Sequence, residues 1–351
     1  MSFIKKPVAR HPKLPVNELG LTVRDYEGGM STLCAGCGHD SITSAIVEAA
    51  WGLSIPTHRF AKLSGIGCSS KTPAYFLKDS HGFNSCHGRM PSVATGANCA
   101  NRDLTYIGVS GDGDSLSIGM GQFAHAIRRN LNMTYMIENN GVYGLTKGQF
   151  SAAADKGSTA KKGEVNLQPA IDPCSTAITL GATFVARSFS GDKEQLVPIL
   201  MAAMRHRGFA LIDVISPCVT FNDHEGSTKS YKYSREHFSP AIHADFVPPA
   251  EEIKAAYNEG EAMPVELHDG SHIVLRKIDK DYDPTDRVNA VQNLMTNNAA
   301  GEITTGLLFV DESQPEMHEV NNTISTPLID VPYARLNPGN DTLQKIQARF
   351  R

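Results

Sequence analysis

No apolar run in this 351-residue chain approaches the roughly 20 residues that a membrane-spanning helix needs, so no membrane association is expected. Neither sign of charge dominates. The 33 Lys and Arg stand against 37 Asp and Glu, for a net charge of −4 and a pI near 6.3. The basic residues are scattered rather than striped, and a pair such as Lys161-Lys162 reads as part of a solvated loop. Nucleic acid is therefore not an expected partner. There is no internal repeat and no low-complexity tract. Residues 1–30 lack the apolar core of a signal peptide, which makes a cytoplasmic location the expectation. Disulfides are rare in that compartment, so the seven cysteines point to metal binding, redox chemistry or plain burial.

What the chain does have is alternation. Residues 30–225 alternate strand-like and helix-like segments, which is the pattern of an α/β fold with a parallel sheet and helices on both faces. Thr105–Ser110 and Met133–Ile137 are β-prone. Between them Leu116, Met120, Phe123 and Ile127 recur at spacings of four, three and four, and predict a helix over 115–130. Asp192–Arg207 reads as another helix, with Leu196, Ile199, Leu200 and Ala203 on one face. Residues 1–29, punctuated by Pro7, Pro12 and Pro15, read as an extended arm, and the small, polar Ser151–Gly163 as a loop. From about Glu236 the texture changes. Glu251–Glu261 and Tyr282–Pro284 suggest helices and turns around a smaller element, and Ser271–Ile278 is strand-like. The expected division is an arm (1–29), an α/β domain (30–235) and a C-terminal extension (236–351) that makes subunit contacts or acts as a lid.

The most informative stretch runs from Gly111 to Gly148. A Gly111-Asp112-Gly113-Asp114 turn ends one strand, and an Asn139-Asn140 pair ends the next. The pattern resembles the thiamine diphosphate-binding motif, in which an Asp and an Asn hold a magnesium ion on the diphosphate. The physical logic is consistent. Glycines let the backbone approach a ligand, and a strand–helix–strand unit brings Asp112 and Asn140 to one carboxyl edge of the sheet. Mg2+ favours hard oxygen ligands bridging to phosphates. The Asp112 carboxylate, the Asn140 amide oxygen and a carbonyl near Val142 are such ligands, and a helix starting near Ser115 favours an anion.

The cysteines fall into two sets. Cys34-Ala35-Gly36-Cys37 is a C-x-x-C, Cys68 lies in Gly65-Ile66-Gly67-Cys68-Ser69-Ser70, and Cys218 lies in Ser216-Pro217-Cys218-Val219. Four thiolates from three loops fit a 4Fe–4S cluster or a four-cysteine zinc site. Spacing does not separate these from buried, inert thiols. Cys86, Cys99 and Cys174 lack such a context and are expected in or near the core.

Taken in order, CAGCGH, GIGCSSK, HGRMPSVATGAN, GDGDSLSIGMGQF, NNGVYGLTKGQ and SPCVTFN resemble the β subunit of the 2-oxoacid:ferredoxin oxidoreductases over about residues 30–225. The resemblance implies a thiamine-diphosphate-binding fold with thiamine diphosphate, Mg2+ and one 4Fe–4S cluster as cofactors. It places the cluster on Cys34, Cys37, Cys68 and Cys218, and the magnesium on Asp112, Asn140 and the carbonyl of Val142. Cofactor contacts fall on Ser69, His87, Gly111, Gly113, Asp114, Leu145 and Thr146. Two positions depart from the family pattern: Asn139 replaces an acidic residue, and Ser151-Ala152-Ala153 replaces Ser-Pro-Thr.

The implied reaction is oxidative decarboxylation of a 2-oxoacid, with the acyl group passed to coenzyme A and the electrons to ferredoxin, or the reverse with CO2 fixed. His87 is expected near the thiazolium ring as proton donor or polar contact, with a hydrogen-bonded structural histidine as the plain reading. Lys71 and Leu145 are expected in the substrate pocket, with Lys147 a weaker candidate for phosphate or substrate. A lysine there favours 2-oxoglutarate over pyruvate, unless Lys71 is only a solvated side chain. Only the diphosphate-binding half of a thiamine site is legible, so an α or fused γα subunit is expected to complete a hetero-oligomer. Two rival readings are a non-oxidative thiamine-dependent decarboxylase or synthase and a zinc-stabilised assembly subunit. The four placed cysteines count against the first, and the intact GDGD and NNGVYG against the second.

Overall fold

Nearly continuous apolar runs form the strands at the centre of the protein, as a sheet covered on both faces requires. The computed structural model describes residue 11 and residues 13–158, 163–219, 253–267 and 272–350. In chain order the strands are β1 (Phe60–Ser64), β2 (His81–Asn84), β3 (Thr105–Gly111), β4 (Met133–Asn139), β5 (Val142–Tyr143), β6 (Gln149–Phe150), β7 (Phe184–Phe189), β8 (Phe209–Ile215), β9 (Ala262–Glu266), β10 (His272–Lys277) and β11 (Glu302–Val310). Nine of them make one sheet in the order β2-β1-β3-β4-β8-β7-β11-β10-β9, and β5 and β6 form a small hairpin outside it. Every residue of β1, β4, β7 and β8 is buried.

From β2 to β7 all neighbours in the sheet are parallel. The C-terminal strands depart from the all-parallel expectation. β11 runs antiparallel to β7, with a register shift between Leu307 and Phe309, and β9 is antiparallel to β10. The residues from Ala262 onward thus continue the same sheet.

Helices cover both faces. α1 (Gly38–Gly52) and the later helix Lys193–Arg205 pack on one face through Ile42, Ala45, Ile46, Leu196 and Leu200. The opposite core takes α2 (Met90–Ala100), α3 (Met120–Arg128), α4 (Pro173–Leu180) and, beyond α5 (the Lys193–Arg205 helix), α6 (Arg287–Ala299). Leu116, Phe123 and Ile127 are buried in that core, as the apolar spacing predicts, with Met120 packed against it.

The helix expected over 115–130 is split, however. A wide, π-type turn covers Gly113–Ile118, and α3 starts only after Gly119. Gly88 and the carbonyl of Asp114 press against Gly119, where a Cβ would lie 2.6 Å from that oxygen. The loop carrying His87 therefore crosses where a continuous helix would run. Such turns concentrate at functional sites.

Residues 253–261 form no helix, contrary to the reading of Glu251–Glu261. Glu251, Glu252, the stretch 236–250 and Lys161-Lys162 lie outside the described residues. Among the described residues, no helix is long and apolar enough to cross a membrane.

Candidate active site

β1, β3 and β4 all end at the same edge, and the loops leaving them surround a cleft of about 480 Å³. Open α/β sheets bind ligands at this edge. Its walls include Cys68, Ser69, His87, Gly111, Asp112, Gly113, Asp114, Asn140, Val142, Leu145 and Thr146, so most of the residues read from the sequence are brought together. Lys71 is not among the wall residues and is exposed.

Asp112 caps the start of the π-type turn and is 1% exposed. The Ser151 hydroxyl donates to its Oδ2, and the Asn140 N–H approaches its Oδ1 at 3.5 Å. Asn140 in turn fixes the next turn, since the Val142 N–H donates to its Oδ1 at 3.1 Å. One carboxylate thus links the ends of β3 and β4 to the segment after the β5–β6 hairpin. The hairpin projects Leu145 and Thr146 at its tip. Leu145 is half-exposed there, and the Thr146 hydroxyl donates to Gln149 Oε1 at 2.6 Å. Tyr143 was not singled out from the sequence. Its hydroxyl donates to the Gly113 carbonyl at 3.1 Å, and its ring lies where a Gly113 Cβ would stand, 2.5 Å away. Only glycine permits that approach.

Asp114 joins three loops. Its Oδ1 accepts from the backbone N–H of Gly88 at 2.7 Å and of Ile66 at 3.2 Å and is paired with His87 Nδ1, while its Oδ2 accepts from the Ser110 hydroxyl at 2.5 Å. A Cβ on Gly65 would stand 1.8 Å from that carboxylate, so this close packing also depends on glycine. His87 is held by Asp114 and faces Tyr143 edge-on at 6.1 Å, with its side chain one-third exposed in the cleft wall.

Glu138 and His39 are further residues that sequence reading missed. Glu138 is wholly buried in β4 and reaches the cleft wall. Burial pushes its carboxyl up to about 8, partly offset by His39, whose Nδ1 lies 3.4 Å away. A signal existed. Glu138 is a lone acid in an apolar strand, two residues before Asn140 and hence on the same side of β4.

The four cysteines of interest approach one another from three loops. The Sγ atoms of Cys68 and Cys218 flank Gly144, lying 3.4 and 3.9 Å from where its Cβ would be. Cys34 and Cys37 close a tight turn, with the Cys37 N–H donating to the Cys34 carbonyl at 3.0 Å, and both are near enough to Cys68 to raise its thiol pKa. Burial pushes the Cys37 thiol up to about 12, and Cys34 adds to the effect. Among the described residues, no three His, Cys, Asp or Glu side chains are gathered tightly enough to hold a single metal ion. Cys174 is buried as expected, but Cys86 and Cys99 are exposed, because they sit on the outer faces of a loop and of α2.

Residues 65–214 match the family described as thiamine pyrophosphate enzyme, C-terminal TPP binding domain. The chain is 46% identical over 194 residues to the 2-oxoacid:ferredoxin oxidoreductase 1, subunit beta, of Aeropyrum pernix, which covers 55% of this chain and 60% of that one. It is 37% identical over 191 residues to the 2-oxoglutarate synthase subunit KorB of Methanocaldococcus jannaschii, covering 54% of this chain and 69% of that one. The chain belongs to the β-subunit family of the 2-oxoacid:ferredoxin oxidoreductases. A further family member, the 2-oxoglutarate oxidoreductase subunit KorB of Mycobacterium tuberculosis, is 42% identical over 191 residues, 54% of this chain and 51% of that one. The chain thus spans about half to two thirds of the length of these curated relatives. Among solved structures it is similar to a 2-oxoglutarate:ferredoxin oxidoreductase from Magnetococcus marinus with 2-oxoglutarate, coenzyme A and succinyl-CoA bound. That match has a TM-score of 0.70 at 30% identity and covers 96% of this chain and 97% of that chain. The α/β thiamine-diphosphate-binding fold expected from the sequence is the fold found.

Proposed function

We propose that this chain is the β subunit of an enzyme that oxidatively decarboxylates 2-oxoglutarate to succinyl-CoA and CO2 and passes the electrons to ferredoxin. The observation that carries the reading is the meeting of Asp112, Asn140 and Val142 in one cleft whose wall also includes Cys68. The family fits, and the neighbouring structure's bound 2-oxoglutarate and succinyl-CoA support the substrate class.

The residues present fit Mg2+ and a diphosphate. Asp112, Asp114 and Glu138 all line the cleft, and a diphosphate among carboxylates needs a divalent cation between them. Asp112, Asn140 and the Val142 carbonyl would hold that cation. Ser69, Gly111 and Gly113 would meet the diphosphate, and Leu145 and Thr146 would close over it.

The family resemblance favours a 4Fe–4S cluster over zinc on these thiols. Four sulfurs at about 2.3 Å from one zinc would crowd each other within about 4 Å, whereas a cube of iron and sulfide holds its thiolates apart.

Thiamine diphosphate, when bound, supplies the carbanion chemistry that releases CO2 from a 2-oxoacid, and a cluster beside it supplies one-electron acceptance. The chain's own contribution is placement. Asp114 orients His87 through Nδ1, which leaves Nε2 as an acceptor for a ligand at the cleft wall. Glu138, in the cleft wall, and His39 beside it are almost wholly buried. Tyr143 and Gly113 set the spacing between the two turns that grip the cofactor.

Among the described residues the cleft offers groups for the diphosphate, and the glutamate in its wall, Glu138, belongs to the same sheet and not to a second domain that could face the aminopyrimidine ring. An α or fused γα subunit is the proposed source of that group and of the coenzyme A site. The purified chain with thiamine diphosphate, Mg2+ and coenzyme A is therefore expected to give no turnover with any 2-oxoacid, and adding the partner subunit should restore it. Turnover by the chain alone would contradict this.

Lys71 follows Ser69 and Ser70 in the chain and is exposed. Its ammonium is proposed to meet the distal carboxylate of 2-oxoglutarate, which pyruvate lacks. A charge-assisted contact of about 1.5 kcal/mol corresponds to roughly tenfold in preference. In the assembled enzyme, Lys71→Ile should lower kcat/KM for 2-oxoglutarate about tenfold more than for pyruvate. Equal losses on both substrates, or a wild-type enzyme that prefers pyruvate, would refute the assignment.

A further inference from the structure

Among the described residues, nine buried side-chain polar atoms lack a hydrogen-bond partner, and four of them belong to residues two positions from a cysteine. Each thiol-bearing loop contributes one residue. His39, two positions after Cys37, has neither ring nitrogen hydrogen-bonded. Ser70, two after Cys68, and Ser216, two before Cys218, each have a buried hydroxyl with no acceptor. A buried hydroxyl left unpaired is costly, and alanine at the same position would avoid the cost. Two orphaned hydroxyls, on two of the cysteine-bearing loops, point to a common missing acceptor.

Ser216 shows where that acceptor sits. Its Oγ lies 2.8 Å from where a Cβ on Gly38, the residue after Cys37, would stand, with Ser190 Oγ 2.4 Å from the same point, so the hydroxyl sits beside the start of α1. The Ser216 N–H is committed elsewhere, donating to the Asn139 carbonyl at 2.8 Å. Ser70 belongs to the single helical turn Ser69–Ala74, which Cys68 precedes as cap, so hydroxyl and thiol leave the same short segment. His39 differs, because its Nδ1 faces Glu138 at 3.4 Å.

We infer that the hydroxyls of Ser70 and Ser216 donate hydrogen bonds to sulfur atoms of the iron–sulfur cluster and thereby raise its reduction potential. The inference rests on the cluster reading above. Reduction adds negative charge to the cluster, and a donor aimed at sulfur stabilises the reduced form more than the oxidised one. Removing the donor therefore shifts the potential downward. The two serines are positioning residues for electron uptake and touch no substrate.

The test uses the full chain with its cluster reconstituted anaerobically, in wild-type, Ser70→Ala, Ser216→Ala and Ser216→Thr forms. Iron and acid-labile sulfide are measured first, and the midpoint potential is then read by EPR-monitored titration. The expected result is unchanged iron and sulfide, a more negative midpoint in both alanine variants, and a wild-type midpoint in Ser216→Thr, which keeps the hydroxyl. An intact cluster with an unchanged midpoint in the alanine variants overturns the inference while leaving the cluster reading in place. A shift in Ser216→Thr as large as in Ser216→Ala also overturns it, since volume and not hydrogen bonding would then be responsible. Loss of iron from an alanine variant would make the hydroxyl structural and overturn it likewise. Absence of a cluster from the wild-type chain would overturn the reading beneath it.

Discussion

Asp112→Ala is expected to weaken thiamine diphosphate binding at least about a hundredfold, because even groups that only support a metal ligand cost about 10- to 100-fold when removed. The Asp112 carboxylate, in the turn after β3, touches both the end of β4 and the segment after β6. Its loss removes the hard oxygen ligand for Mg2+ and leaves the diphosphate facing Asp114 and Glu138 without a neutralising cation. Two further variants separate ligand loss from loop collapse. Asp112→Asn keeps the size and an acceptor for the Asn140 N–H, so it should fold normally yet still bind cofactor poorly. Ser151→Ala leaves the carboxylate in place but removes the hydroxyl that orients it, so a smaller loss, about tenfold, is expected. Calorimetric titration with thiamine diphosphate and Mg2+ measures all three. Wild-type affinity in Asp112→Ala would show that the metal is held elsewhere.

The second large effect is loss of the cluster. Substitution of Cys37, Cys68 or Cys218 by alanine should abolish the brown chromophore and electron transfer to ferredoxin, because a cube with three protein thiolates lacks the ligand that closes it. Cys34→Ala should do the same, although Cys34 is the most exposed of the four. Cys174→Ala provides the contrast. That thiol is buried against the carbonyl of Ala186, far in sequence from the cleft loops, and its loss should leave iron content unchanged and lower only stability. A packing substitution of this kind costs about 1 kcal/mol. Full iron content in all four cysteine variants of the proposed set would refute the ligand assignment.

The cleft was legible because ligand binding imposes local rules on sequence. Gly113 must be glycine for Tyr143 to approach, and Asp112 and Asn140 end neighbouring strands whose register brings Gly111 opposite Glu138. Such constraints recur as short motifs. The buried Glu138–His39 pair was not legible, because nothing in the local pattern joins residue 39 to residue 138; only the packing of α1 against the strand ends does so. Asp114 was read as a cofactor contact, but its ties to Ile66, His87 and Gly88 come from loops about 26 to 48 residues away. The same limit applies to β11. It was not read as a strand from the sequence, and its antiparallel placement beside β7 is a long-range pairing that periodicity cannot encode. Lys71 marks the converse case. The sequence motif places it beside Cys68, yet within this chain it faces outward, and its role depends on the surface that covers it.

The most direct test of the account is metal analysis of the anaerobically purified wild-type chain together with its absorption spectrum. The account predicts iron and acid-labile sulfide in equal amounts, a broad brown absorbance that bleaches on reduction, and no stoichiometric zinc. A colourless chain that contains zinc, or no metal at all with its thiols reduced, would contradict it.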